Sequence, residues 1–218
     1  MALVLLVRHA TTAATGRTLT GWSPGHHLDE PGRAQAAALG ERLTALKLAA
    51  VYSSPLERCR ETADAVAGPQ RLQVSEVEDL GEVRYGDWTG RPLRSLVRTN
   101  LWKQILRAPS QVRFPNGETL GEVQARAVAA INELAARHPK RTIAACTHAD
   151  VIRLALAHYS GVHLDLFQRT AVSPASVSAV VLEGGTPRVL RVNDTGMLTD
   201  LTPQRPPPRR PQRRAVGG

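Results

Sequence analysis

The stretch Ala2-Leu3-Val4-Leu5-Leu6-Val7-Arg8-His9 decides the fold, because an apolar run passes directly into a guanidinium and an imidazole. A short run rich in Leu and Val predicts a strand that is buried on both faces of a sheet. The run is too short for a membrane span or a signal-peptide core, and no basic stretch precedes it. We therefore expect a strand here, and a cytoplasmic protein without membrane contact.

Two later segments repeat the pattern of a buried strand that leads into a helix. The apolar run 49–53 ends in a serine pair and precedes a helix signal. The run 142–146 precedes Thr147, His148 and an apolar helix over about 150–159. Strands that alternate with helices predict an α/β protein, here a three-layer α/β/α sandwich with a mostly parallel central sheet.

Capping residues mark the helix starts. Asp29 is a candidate N-cap, and Pro31 suits the first turn of the helix that follows it. Segments 54–57 and 119–122 both begin with Ser or Thr and end with Glu, which is the spacing of a capping box. These signals predict three helices, the second of which runs from Pro55 to about Ala67.

The remaining segments give weaker signals. The insertion between the second and third strands contains the helix that the 119–122 signal starts, and a further helix is expected over 93–107. Segments 177–182 and 189–192 predict two strands, joined as a hairpin through a glycine pair at 184–185.

Length and composition favour one compact domain, which we place at residues 1–202. The chain has 218 residues, of which 42% are hydrophobic and 22% charged, so it falls outside the disordered and disulfide-rich classes. Its two cysteines, Cys59 and Cys146, lie in apolar or helical stretches, which favours a reducing compartment and a structural role for both.

The formal net charge of +9 is concentrated at the carboxyl end. Residues 203–218 contain five arginines, five prolines and no acidic residue, so residues 1–202 retain only +4. A segment of this composition cannot build a core, and we expect a disordered Pro/Arg-rich tail. Nucleic-acid binding is therefore not expected, apart from weak contact through this tail.

The ends of the predicted strands suggest where chemistry occurs. In a parallel sheet, residues that follow the strands meet along one edge, where ligands bind. Arg8 and His9 follow the first strand, Arg58 lies one turn beyond the second, and His148 follows the third. Guanidinium groups match phosphate oxygens, and a neutral imidazole can attack phosphorus. The sequence therefore predicts a phosphoryl-transfer site that needs no metal and no cofactor.

Seven motifs occur in order along the chain. They are LVRHATT (6–12), LTGW (19–22), LDEPGRAQA (28–36), SSPLERCRETA (53–63), LGEVRYGDWTG (80–90), FPNGET (114–119) and THADVIR (147–153). Together they resemble the histidine phosphatase superfamily, the phosphoglycerate-mutase-like enzymes, from about Leu3 to Leu198.

This resemblance implies a fold and a set of roles. His9 would be the nucleophile that becomes phosphorylated, and Glu82 would protonate the leaving oxygen and then activate water. His148 would assist at the reacting phosphoryl group. The phosphate contacts that it implies are Arg8, Arg58, His148 and Thr15, and the substrate contacts are Gly21 and Trp22. The assignment of Glu82 rests on the resemblance alone.

The chain departs from the family pattern at several positions. Ala10 and Ala149 stand where glycine usually follows each histidine, and Thr15 stands where many members have asparagine. Val83 replaces an arginine that the mutase branch uses on its substrate, so the chain is more similar to the phosphatase branch. A small phosphorylated substrate is implied, but its identity is left open.

Other interpretations remain beside this one. A phosphomutase of the same fold is the nearer alternative, and a non-enzymatic module that binds polyanions through the tail is the more distant one. The adjacent histidines His26 and His27 make a poor metal site, because no cysteine or cluster of carboxylates lies near them in the sequence. Trp22 and Trp88 could each line the substrate entrance or pack in the core. The oligomeric state stays open, with a homodimer as one option.

Overall fold

The computed structural model describes residues 2–182 and 186–196, and these contain a six-stranded sheet in the order β4-β3-β6-β1-β7-β8. Neighbours among the first four strands in this order are parallel, while β7 and β8 are antiparallel to their neighbours. The strands are β1 (Ala2–Arg8), β2 (Thr18–Leu19), β3 (Leu48–Ser53), β4 (Val74–Glu76), β5 (Arg91–Pro92), β6 (Thr142–Thr147), β7 (Val177–Leu182) and β8 (Arg188–Asp194). A separate small sheet pairs β2 with β5. The mostly parallel α/β fold is confirmed.

Helices cover both faces of the large sheet. They are α1 (Glu30–Leu43), α2 (Glu57–Ala67), α3 (Leu93–Leu96), α4 (Asn100–Arg107), α5 (Leu120–Arg137) and α6 (Ala149–Tyr159). Short 3-10 helices lie at Gly68–Gln70, Glu78–Leu80, Gly86–Trp88, Pro109–Gln111 and Leu164–Arg169. Helices α1 and α2 pack on one face, and α5 and α6 pack on the other.

The alternation of side chains along β1 divides the apolar residues between the two faces. Val4 and Leu6 join the cluster beneath α5 and α6. Leu5 and Val7 point to the opposite side and join the cluster beneath α1 and α2. A continuous apolar run is therefore needed for this strand, because neither face is exposed to water.

Two of the three predicted helix starts form as expected. The Asp29 carboxylate accepts from the Gly32 N–H at 2.7 Å, and α1 begins at Glu30, the residue after this cap. Thr119 and Glu122 form the reciprocal bonds of a capping box at the start of α5. Both helices thus begin where side chains replace the missing backbone acceptors.

The predicted capping box at Ser54 is wrong. Helix α2 begins at Glu57, and its N-cap residue, Leu56, makes no side-chain cap bond. The Glu57 carboxylate instead accepts from the Gly25 N–H at 3.0 Å. The Ser54 hydroxyl lies 2.9 Å from Nε2 of His148. The side chain that the local pattern predicts as the cap of α2 therefore contacts a histidine that follows β6.

The insertion builds a core of its own beside the sheet. The single helix predicted over 93–107 is divided into α3 and α4, because Thr99 caps a new helix through the Trp102 N–H. Trp88 is only 4% exposed and packs with the aromatic and aliphatic residues of this second core, which assigns it to the core rather than to the site entrance.

The last two strands pair as predicted, in antiparallel register. Their predicted glycine turn at 184–185 lies outside the described residues, as do the proposed domain end at 202 and the 203–218 tail. Within the described part of the chain, no helix has the length and apolar character needed to cross a membrane.

Candidate active site

Four cationic or imidazole side chains converge at the carboxyl edge of the parallel strands. Arg8 pairs with Thr147 in the β1–β6 register, so the residues that follow, His9 and His148, leave the sheet side by side. Their ring centroids lie 5.3 Å apart. Arg58 enters from the first turn of α2 and places a guanidinium nitrogen 3.3 Å from His148 Nδ1. We call these four residues the strand-edge cluster.

The His9 ring is held in one tautomer. Its Nδ1 lies 2.7 Å from the Ala10 carbonyl oxygen, which can only accept, so Nδ1 carries the proton and Nε2 keeps its lone pair. Burial, together with the charges of Arg58 and Arg8, lowers the pKa of His9 to about 3. The imidazole is therefore neutral at physiological pH, as a nucleophilic nitrogen must be.

Arg58 is a buried cation, and two of its guanidinium nitrogens have no hydrogen-bond partner in the part of the chain that the structure describes. It is 1% exposed, and Nη2 donates to the Gly21 carbonyl at 2.9 Å. Its Nε and Nη1, and Nε of Arg8, are buried without a hydrogen-bond partner among the described residues. Arg8 uses Nη1 on the Val172 carbonyl. Because a buried charge is costly unless paired, these donors fit an anion such as a phosphoryl group.

His148 is fixed from both sides of its ring. Nε2 lies 2.9 Å from Ser54 Oγ and 3.3 Å from Cys59 Sγ, whereas Nδ1 lies 3.7 Å from Glu82 Oε2. Burial and the Arg58 charge hold the pKa of His148 well below its ordinary value. The ring is thus oriented as a neutral group, and the negative charge of a bound phosphoryl group would favour its protonation.

Glu82 comes from the insertion and reaches the cluster across the edge of the sheet. Its carboxylate is 13% exposed and accepts from the Val83 N–H at 3.0 Å. Burial, followed by repulsion from Asp150, raises the pKa of Glu82 to about 7. A carboxyl group with this pKa can donate a proton near neutral pH and can also take one back.

Three of the four cluster residues line a cavity of about 360 Å³, whereas His148 is 0% exposed and is not among its lining residues. Arg8, His9, Arg58 and Glu82 line its reactive end. The rest of its wall comes from the segment after β1, from the insertion and from the start of α6. These residues are Thr12, Ala14, Thr15, Gly16, Thr18, Leu19, Thr20, Gly21, Tyr85, Leu93, Trp102, Ala149, Asp150 and Arg153. Such a volume suits a small organic phosphate.

The structure separates three of the predicted contacts, Thr15, Gly21 and Trp22, by their position relative to the cavity. Thr15 lines the cavity, and its hydroxyl accepts from the Thr12 N–H at 2.9 Å. Gly21 also lines it and supplies the carbonyl that Arg58 binds. Trp22 is not among the lining residues. Its indole N–H donates to the Glu82 carbonyl, and its ring lies under the Arg84 guanidinium at 3.9 Å.

Sequence reasoning missed several wall residues. Asp150 accepts from the Tyr85 hydroxyl and from Arg153, both at 2.9 Å. Asp150 and Arg153 lie in the first turns of α6, directly after His148, and that position was a usable signal. Trp102 reaches the cavity from α4, and no local pattern marks it, because helix α4 is placed by contacts of the insertion.

Cys59 lies against His148, whereas His27 lies outside the strand-edge cluster. His27 pairs with Glu61 at the surface. No group of three or more His, Cys, Asp or Glu side chains with metal-site geometry occurs among residues 2–182 and 186–196. Cys59 and Cys146 are free and buried, and burial raises the pKa of Cys59 to about 12. Neither thiol is suited to act as a nucleophile.

Known proteins share this sequence pattern and fold. Residues 4–195 match the profile of the histidine phosphatase superfamily (branch 1). Phosphoserine phosphatase 1 of Hydrogenobacter thermophilus is 29% identical over 205 residues, covering 92% of this chain and 96% of that protein. The solved YhfR structure of Bacillus stearothermophilus is 30% identical, with a TM-score of 0.84, and the match covers 89% and 98% of the two chains.

A more distant neighbour shows the same fold with a ligand. A phosphoserine phosphatase of Entamoeba histolytica, solved in complex with phosphoserine, has a TM-score of 0.81 at 20% identity, and the match covers 89% of this chain and 98% of that one. The family profile spans most of the present chain, and the Hydrogenobacter thermophilus relative is named a phosphatase. The chain therefore belongs to branch 1 of the histidine phosphatase superfamily and is a phosphatase.

Proposed function

We propose that the protein hydrolyses a small phosphomonoester through a phosphohistidine on His9, without a metal ion. The observation that carries this proposal is the neutral His9 ring beside two buried arginines with unpartnered donors. These donors supply the charge stabilisation that phosphoryl transfer requires. Phosphoserine, the ligand of the Entamoeba histolytica relative, is a small phosphomonoester of the kind that such a cavity suits.

In the first step, Nε2 of His9 attacks phosphorus while the bond to the leaving oxygen breaks. Arg8 and Arg58, which line the cavity, hold the oxygens of the transferring group, and the Thr15 hydroxyl in the same wall assists them. His148, whose ring centroid lies 5.3 Å from that of His9, holds a further oxygen. The Glu82 carboxyl gives its proton to the leaving oxygen, so an alcohol departs. The products of this step are the alcohol and the phosphohistidine.

In the second step, water attacks phosphorus and the bond to Nε2 breaks. The Glu82 carboxylate takes the proton from this water, which returns the carboxyl to its starting form. Inorganic phosphate leaves, and His9 is again neutral. One group serves as acid and then as base because its pKa of about 7 lies near the working pH.

The residue after Glu82 favours hydrolysis over mutase transfer. Val83 is 0% exposed and packs in the core of the insertion, so this position offers no cation to a second anionic group of the substrate. An assay that follows both products decides between the reactions. Release of inorganic phosphate in proportion to substrate loss supports hydrolysis, and positional transfer that exceeds it supports the mutase.

Trapping the phosphoenzyme tests the mechanism. Quenching with base during turnover of a ³²P-labelled substrate should yield one phosphohistidine that is stable in base and labile in acid. His9→Ala should carry no label, whereas the matched control His158→Ala, an exposed position on α6, should carry the full amount. Label that persists in His9→Ala would refute the assignment.

Deleting residues 203–218 tests the non-enzymatic alternative. The residues to which we assign the chemistry lie between positions 8 and 148, so we expect turnover to be unchanged by the deletion. Loss of binding to a polyanion such as heparin, with turnover intact, would make the tail an accessory. A panel of phosphorylated metabolites compared by kcat/KM would then identify the substrate.

A further inference from the structure

One arginine outside the cavity binds the backbone of the loop that carries Glu82. Arg126, on α5, donates from Nη1 to the carbonyls of Asp79 and Gly81 at 2.8 and 2.9 Å. Its Nη2 donates to the carbonyl of Glu82 itself at 2.9 Å. A single guanidinium therefore fixes three carbonyl groups within four residues.

Glu118 completes this arrangement from the other side. Its two carboxylate oxygens accept from Arg126 Nε and Nη2 at 2.8 and 3.0 Å, which is the bidentate geometry of a strong pair. One of the same oxygens accepts from the Arg84 N–H at 2.8 Å. The Glu118 backbone also donates to the Arg84 carbonyl, at 2.9 Å. The chain is thus held immediately before and immediately after Glu82.

The burial of this pair sets it apart from the other Arg–Glu pairs of the described chain. Both side chains are 16% exposed, whereas Arg113–Glu122 and Arg137–Glu133 are at least half exposed. Exposed pairs of that kind contribute little to stability. The Arg126–Glu118 pair is less exposed and bidentate, and the other hydrogen bonds of Arg126 all go to the loop that carries Glu82. This geometry is suited to holding that loop in one position.

The loop needs such a device because its own secondary structure is slight. Glu82 follows the 3-10 helix Glu78–Leu80 and belongs to no strand. The Trp22 indole gives the Glu82 carbonyl a second donor, so this oxygen is held from two directions. With the backbone fixed, the bond from the Val83 N–H to the carboxylate limits where the acid can point.

We infer that Arg126 and Glu118 are positioning residues for proton transfer by Glu82. This inference rests on the proposed function, because it assumes that Glu82 protonates the leaving oxygen. Neither residue lines the cavity, so both act through the loop rather than on the substrate. Misplacement of a catalytic group by about 1 Å can cost about a hundredfold in rate.

The leaving group of the substrate distinguishes positioning of the acid from general loss of structure. An alkyl phosphate releases a strongly basic alkoxide and needs the acid, whereas 4-nitrophenyl phosphate releases a stable phenolate and needs it little. A misplaced Glu82 therefore slows the first substrate selectively. A loss of folded protein or of phosphate binding lowers kcat/KM for both substrates by the same factor.

The experiment compares Arg126→Lys and Glu118→Gln with Arg137→Met, which removes an exposed Arg–Glu pair from the same helix. For the two test variants we expect kcat/KM to fall about tenfold or more with an alkyl phosphate and less than about threefold with 4-nitrophenyl phosphate. We expect no change in Arg137→Met. Glu118→Gln preserves side-chain shape, so it provides a second measurement if Arg126→Lys loses its thermal unfolding transition.

Equal losses with both substrates, or no loss with either, would overturn the inference. Labelling of His9 in the wild-type protein separates this outcome from failure of the proposed function. If His9 is labelled and the variants show no leaving-group selectivity, only the positioning role is wrong. If no phosphohistidine forms in the wild type, the mechanism on which the inference rests is wrong.

Discussion

The strand-edge cluster and the Glu82 loop meet in one cavity, but they are placed by different kinds of interaction. Arg8, His9 and His148 are set by the backbone register of β1 and β6, which is shared along the whole sheet. Glu82 is set by side chains that bind its backbone, above all Arg126 and Trp22. Arg58 is the exception within the cluster, because it comes from α2 and binds the Gly21 carbonyl. Placement of Arg8 and the two histidines is therefore a property of the sheet, whereas acid placement depends on a few separate contacts.

The largest effect is expected from a change in the strand-edge cluster that leaves the sheet intact. Arg58→Met should lower kcat/KM by about 10³-fold or more, because it removes charge stabilisation from the transferring group. The free energy of unfolding should stay the same or rise by about 1–2 kcal/mol, since a buried cation with unpartnered donors is replaced by an apolar side chain. Steady-state kinetics and urea unfolding measure the two quantities.

Arg60→Met is the matched control for this variant. Arg60 lies two residues further along α2, is 54% exposed and pairs with Glu76 at the surface. Its replacement should change neither quantity appreciably. If Arg58→Met destabilised the fold strongly and kept most of its activity, the strand-edge cluster would be structural and the comparison would fail.

The next effect concerns the proton on Glu82. Since the pKa of this group is raised to about 7, it is protonated below that pH and ionised above it. We therefore expect kcat/KM for an alkyl phosphate to fall as pH rises through about 7. The pKa of His9 is lowered to about 3, so His9 stays neutral between pH 5 and 9 and causes no change in kcat/KM over that range. The fall above pH 7, the alkaline limb of the profile, therefore reports on Glu82.

Glu82→Gln should remove this alkaline limb and lower kcat/KM by about a hundredfold or more at pH 6. The loss should be smaller with 4-nitrophenyl phosphate. A profile of kcat/KM against pH for both proteins measures the difference. An alkaline limb that survives in Glu82→Gln would have to belong to another group and would contradict the assignment of the acid.

The strand-edge cluster and the Glu82 loop also differ in how far the sequence predicts them. His9 and His148 could be placed because a buried run and the next residue identify a strand end without any distant contact. Glu82 could not be placed from periodicity, since its position depends on Arg126, which lies 44 residues further along the chain. Only the resemblance to a family identified it.

The fold shows the same division. The burial of β1 on both faces and the Thr119 cap follow from local patterns and were predicted. The division of segment 93–107 into two helices was missed, although Thr99, the N-cap of α4, is a local signal for it. The capping box at Ser54 failed for a different reason, because its hydroxyl contacts His148, which lies 94 residues further along the chain. Local patterns therefore predict elements and many of their boundaries, except where a long-range contact takes the capping group.

A smaller effect is expected from the neighbour of Glu82. Asp150 lies on α6, held by Tyr85 and Arg153, and its charge is the second cause of the raised pKa of Glu82. Asp150→Asn removes this repulsion, so the alkaline limb of kcat/KM should move to lower pH. The control is Asp64→Asn, at an exposed position on α2, which should leave the limb in place. A limb that moved upward would reverse the assumed sign of the interaction.

The smallest effect concerns the starts of α2 and α5, which share the capping-box spacing in the sequence. Ser54 lies beside the strand-edge cluster, and Thr119 lies beside the Glu82 loop. Thr119 caps α5 beside the Glu82 loop, so Thr119→Ala should lower the free energy of unfolding by about 1 kcal/mol. Ser54 does not cap α2 and instead contacts the buried His148, so Ser54→Ala should lower kcat/KM several-fold, whereas Thr119→Ala should leave kcat/KM unchanged. Urea unfolding and steady-state kinetics on both variants test this exchange. If Ser54→Ala lost as much stability as Thr119→Ala and kept full activity, the local pattern would have been correct, and the strand-edge cluster would not depend on that hydroxyl.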